Sequence, residues 1–133
     1  MSDQTPYKQY QPLDLVILNT LGDHILKIHT AKGFHDPELE AQGVGRYTSN
    51  LHEEVAEIWT AYRKGLLNEP CDKAEEMKAL GLEPLTYFEE ELADVIIRAL
   101  DMAGFYGVDI GKAVAVKDAY NQTRSFRHGG KQA

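Results

Sequence analysis

Cysteine is nearly absent from this chain. Cys71 stands alone and cannot close an internal disulfide, so a reducing, cytoplasmic setting is the expectation. No apolar run approaches the roughly 18 residues of a membrane span. The opening stretch to Pro12 is polar and has nothing of a signal peptide. Basic residues are outnumbered, 14 against 21 acidic ones, and the net charge of -7 argues against stable nucleic-acid binding. No segment alternates convincingly as a strand, and neither whole-unit repeats nor low-complexity tracts occur. None of the 5 histidines has a glutamate three residues before it, which removes the Glu-x-x-His motifs of a di-iron carboxylate bundle.

What remains is a chain of 133 residues, 43% hydrophobic and 26% charged, the composition of one soluble globular domain over residues 1–133. Residues 1–12 read as an N-terminal extension and 125–133 as a loose basic tail. The fold class expected is all-α, with four helices. The first starts after Pro12 and runs to about Ala31, carrying Leu13, Val16, Ile17, Leu21, Ile25 and Ile28 at helical spacing. Residues 33–45 hold three glycines and Pro37 and read as a loop with one short turn. The second helix is expected to begin near Asn50, with Glu53 as its capping-box partner, and to stop at Gly65. Leu51, Val55, Ile58 and Tyr62 would form its apolar stripe. A polar stretch, 66–84, carries Cys71 and a short amphipathic piece at 74–80. The third helix follows Pro84 to about Gly104, and the fourth runs from Asp109, a plausible N-cap, to about Arg124.

Two pairs of carboxylates stand out against this background, Glu54 with Glu57 and Glu91 with Asp94, each at i, i+3 on one helix face. At about 100° per residue both pairs border the buried stripe of their helix. Carboxylates about 4 Å apart repel by about 4 kcal/mol at an effective dielectric near 20, so four of them clustered call for a bridging cation. An all-oxygen donor set favours magnesium or manganese over zinc. Either pair alone is most often a solvated acidic face; it is the two together, both edging the core, that point to a site. The third helix is apolar nearly all the way round, with Ile97 on its outer side, which points to self-association.

Other residues weigh less. Lys117, Asn121 and Arg124 share one face of the fourth helix, as phosphate ligands or as a solvated basic face near a helix C-terminus. Arg98 is expected to pair within its helix with Asp94 and Asp101. Trp59 and Tyr62 read as core or interface. Phe34 and His35 could stack on a base or simply pack. His35-Asp36 lacks the helical context of an HD-type metal site, and Cys71 lacks a catalytic partner.

The pattern Glu53-Glu54-x-x-Glu57, Glu91-x-x-Asp94 and Lys117-x-x-x-Asn121-x-x-Arg124 resembles the all-α nucleoside triphosphate pyrophosphohydrolases of the MazG-like group, over residues 13–131. The segment between the acidic pairs is longer than is usual for that group. The resemblance implies a four-helix MazG-like bundle, an obligate homo-oligomer (dimer or tetramer). It implies hydrolysis of a (deoxy)nucleoside triphosphate to the monophosphate and pyrophosphate, for nucleotide-pool control. Glu54, Glu57, Glu91 and Asp94 would bind Mg²⁺ or Mn²⁺, two or more ions. Glu53 would act as general base, its alternative being a capping or solvent-facing glutamate. Lys117, Asn121, Arg124 and Lys131 would bind phosphates, Lys131 with Arg127 and His128 on a tail that closes over the nucleotide or stays loose. Small stand-alone members of the group lend a weak preference for dGTP or dATP. A non-catalytic acidic helical protein that binds a basic partner is the alternative from another class.

Overall fold

The computed structural model describes residues 12–124, and side chains from residue 16 onward. Lys131, Arg127, His128 and the extension before Pro12 therefore lie outside the described residues. Among those described, the chain is all-helical, in the order α1 (Pro12–Ala31), α2 (Pro37–Glu40), α3 (Val44–Arg63), α4 (Ala74–Ala79), α5 (Tyr87–Phe105) and α6 (Ile110–Gln122). None of these helices is long and apolar enough to cross a membrane. α5 is the central element: α1 and α3 both pack on it, and α6 packs on α1.

Local chemistry explains most boundaries. Gly65, at φ 71°, ends α3 in a Schellman turn, with Leu66 N–H bonded to Ala61 C=O and Gly65 N–H to Tyr62 C=O. Thr86 and Glu89 close a reciprocal capping box at the start of α5. Asp109 caps α6 by accepting from the Lys112 N–H. Asn19 of α1 then bridges that cap, donating to Asp109 Oδ1 at 2.7 Å and accepting from the Gly111 N–H at 2.9 Å.

Two expectations need correcting. α3 begins at Val44 behind Gly43, so Asn50 and Glu53 lie inside the helix and form no capping box. Gly43 has φ 65° and supplies the turn into α3, and the one short turn expected in the segment before it is α2. The apolar stripe of α3 is also split: Leu51 and Ile58 lie partly buried on the packed side, Val55 and Tyr62 on the exposed one. Tyr47, Glu54 and Ala61 are its buried residues, while Val55, Trp59 and Tyr62 are half or more exposed. The carboxylate thus occupies the interior face and the aromatic pair the outside.

The long 64–86 segment folds back on itself. Cys71 N–H bonds to Leu85 C=O, Tyr87 N–H to Glu69 C=O and Phe88 N–H to Leu67 C=O, so the excursion returns to where it left. Its length leaves the α3–α5 pairing intact, as the slow growth of closure entropy with loop length allows.

Small residues let α1 and α5 approach. A Cβ on Gly104 would sit 3.4 Å from the Gly22 carbonyl oxygen and from Leu26. The carbonyl cannot rotate away. Gly104→Val is therefore expected to lower unfolding free energy by about 2 kcal/mol, and Gly104→Ala by less than about 1 kcal/mol. Urea midpoints check this; equal midpoints for the two variants would place the close approach elsewhere.

Candidate metal centre

α3 and α5 run antiparallel, because Glu54 meets Arg98 and Asp94 while Glu57, one turn on, meets Glu91 one turn back. Glu54, Glu57 and Glu91 bring carboxylate oxygens within 4.8 Å of one another. Asp94 lines a cavity of about 240 Å³ together with Glu54, Arg98, Ile97, His29 and Phe34. All four acids of the two sequence pairs are thus gathered at one helix–helix seam.

Burial and mutual repulsion perturb them. Glu91 is buried, and its carboxyl is pushed up to about 8, by loss of water first and then by the hydrogen bond and charge of Glu57 and the charges of Glu90 and Asp94. Asp94 is raised by burial and by the charges of Glu54 and Glu90, against a smaller pull from Lys73 and Arg98. Glu91 Oε2 is buried with no hydrogen-bond partner. Buried carboxylate oxygens seldom go unpaired. An orphaned oxygen beside two further carboxylates fits a hard divalent cation, which takes oxygen ligands.

Arg98 corrects its expected role. Its Nε donates to Glu54 Oε1 at 2.8 Å, tying α5 to α3 across the seam. The neighbouring acid Glu90 is buried and paired with Lys73, whose ammonium that contact holds strongly protonated. Glu90 and Asp72 flank the buried Cys71, whose thiol is pushed up by burial and then by Glu90's charge. That is the setting of an inert thiol.

The other sequence candidates stand apart. Glu53 is exposed on α3, one turn before Glu57. Lys117 and Asn121 share a groove on α6 with Ile110, Ala113, Val114 and Asp118. Lys117 and Arg124 both lie over the Tyr120 ring, at 5.0 and 6.0 Å. The cavity lined by Glu54 and Asp94 includes none of these α6 residues.

A second polar cluster went unread in the sequence. His35, its side chain 3% exposed, lies in the turn after α1. Its Nδ1 is 2.8 Å from Glu40 Oε1 and its Nε2 is 2.8 Å from Asp101 Oδ1. Tyr47 and Arg46 each donate to the same Glu40 oxygen at 2.8 Å. Burial opposes ionisation of Glu40, yet these hydrogen bonds and the Arg46 charge hold its carboxyl below the usual range. The Tyr47 hydroxyl is raised by burial and by Glu40. The one signal available was Asp101, which continues the line of Glu91, Asp94 and Arg98 along α5.

No family model, curated protein or solved structure matches the chain.

Proposed function

We propose that this chain is a divalent-metal-dependent pyrophosphohydrolase, cutting a (deoxy)nucleoside triphosphate into the monophosphate and pyrophosphate within an all-α, MazG-like four-helix bundle. The observation that carries the reading is the convergence of Glu54, Glu57 and Glu91 on one seam, with Asp94 beside Glu54. When bound, Mg²⁺ or Mn²⁺, two or more ions, would supply charge neutralisation at the phosphates and acidify water.

The chain's own residues do the rest. The four carboxylates hold the cation, and Arg98 orients Glu54 by donating from Nε. Glu53, on the solvent side of the same turn, takes the proton of the water that attacks the α-phosphorus. Lys117, Asn121 and Arg124 of α6, with Lys131 beyond it, serve the β- and γ-phosphates. Exposed Val55, Trp59 and Tyr62 on α3 and Leu92 and Ile96 on α5 flank the acids and support self-association as a dimer or tetramer. Purine deoxynucleotides are the favoured substrates, and control of a cytoplasmic nucleotide pool is the role.

A panel of common and modified (d)NTPs, with Mg²⁺ and with Mn²⁺, tests the reading. Pyrophosphate and a monophosphate should appear together, fastest from dGTP or dATP. Orthophosphate as the released product would overturn the cleavage position, and no turnover with any triphosphate would overturn the enzyme. Equal rates on all bases would remove the purine preference.

A further inference from the structure

His29 of α1, His35 of the following turn and Asp101 of α5 converge on a single point. Asp101 Oδ1 lies 2.8 Å from His35 Nε2 and 3.3 Å from His29 Nδ1. All three ligand atoms fall within 4.8 Å of one another. Ligand atoms on a tetrahedral zinc ion sit roughly 3.3 Å apart. Asp101 is buried, and the side chain of His29 is 21% exposed, where it lines the cavity shared with Phe34, Ile97 and Arg98.

The contacts of His35 accommodate a cation. Carboxylate oxygens stand 2.8 Å from both of its ring nitrogens. A neutral imidazole has one N–H and satisfies only one of them. With Nδ1–H donated to Glu40, with the Tyr47 hydroxyl also 2.8 Å from Nδ1, Nε2 turns a lone pair towards Asp101 Oδ1, and an ion beside the two atoms can be ligated by both. A second imidazole nitrogen, from His29, is aimed at the same oxygen. Two lone pairs and one carboxylate directed at one place are the donor set of a borderline transition metal. Glu40 behind Nδ1, itself held by Arg46 and Tyr47, is the outer carboxylate that fixes the tautomer of a metal-binding histidine.

We propose that His29, His35 and Asp101 form a second metal site, for a divalent transition ion of the zinc class, separate from the carboxylate seam. The ion ties α1, the turn after it and α5 together, and its fourth position, on the side where His29 lines the cavity, takes water or an anionic oxygen. Two nitrogens distinguish this donor set from the all-oxygen one, which suits Mg²⁺. The site does not depend on the pyrophosphohydrolase reading.

Its test uses the full chain without an affinity tag, in saturating Mg²⁺ so that the carboxylates are occupied. Zn²⁺ binding is measured by equilibrium dialysis, and Co²⁺ serves as the spectroscopic probe. One Zn²⁺ per chain is expected, with intensified visible absorption for Co²⁺ that Zn²⁺ displaces. Partly exposed His29 is the variant of choice, because His35→Ala removes a buried ring and threatens folding. His29→Ala should weaken Zn²⁺ binding by at least about tenfold, and Glu40→Gln, which loses only the orienting carboxylate, by about 10- to 100-fold. Glu57→Gln, which strikes the Mg²⁺ site, should leave Zn²⁺ binding in place. Absence of Zn²⁺ binding at about 100 μM would overturn the site, as would unchanged binding after His29→Ala.

Discussion

Glu57→Gln is expected to reduce pyrophosphate release at saturating Mg²⁺ by about a thousandfold, which corresponds to about 4 kcal/mol of lost transition-state stabilisation. Glutamine keeps the shape and one acceptor oxygen but removes the charge that a hard cation requires. Glu57 is exposed, so the change leaves no cavity, and glutamine keeps an acceptor for its buried partner Glu91. Its effect on stability should have two signs. Without metal, the variant relieves the crowding of Glu57 against Glu91, and its melting temperature should rise by a few degrees. With Mg²⁺, the wild type gains stability from binding and the variant does not. Steady-state rates and paired melts in EDTA and in Mg²⁺ read out both halves. Activity within tenfold of wild type would remove Glu57 from the metal ligands, whatever the melts show.

The same residues mark how far the sequence could be read. The acids were legible because i, i+3 spacing on a helix forces two side chains to one side, whatever the helix packs against. Helix α1 matched its expected bounds, and Gly65 and Asp109 acted as the stop and cap their chemistry suggests. The buried face of α3 was legible only in part: Leu51 and Ile58 lie on it, partly buried. Apolar periodicity points to Val55 and Tyr62, yet the interior carries Tyr47, Glu54 and Ala61, a seven-residue rhythm whose middle member is an acid. His35 was hidden for a different reason: its partner Asp101 lies 66 residues away, and only the packing of α1 on α5 brings them together.

Without metal, the protein should lose stability as pH rises from about 4.5 to about 8. The sign follows from Glu91, whose carboxyl is pushed up to about 8 from an ordinary value of 4.5. Between those limits the folded chain holds a proton that the unfolded chain has released, so raising the pH favours unfolding. Asp94 is raised as well and acts in the same direction. Glu89, Asp109 and Glu40 are lowered; their contribution is present above their unfolded values and fades only at more acid pH, outside this window. A cation reverses the slope. It competes with the Glu91 proton, so Mg²⁺ affinity should rise with pH up to about 8 and level off beyond. Glu91→Gln removes the titrating group, and in EDTA the stability difference between pH 5.5 and 8.5, roughly a few kcal/mol in the wild type, should shrink markedly. Urea unfolding of both proteins at the two pH values, with EDTA and with Mg²⁺, decides the matter. If the wild type in EDTA is as stable at pH 8.5 as at 5.5, Glu91 does not carry its proton into the neutral range. If the slope survives unchanged in Glu91→Gln, another group of the seam or the His35 cluster carries it.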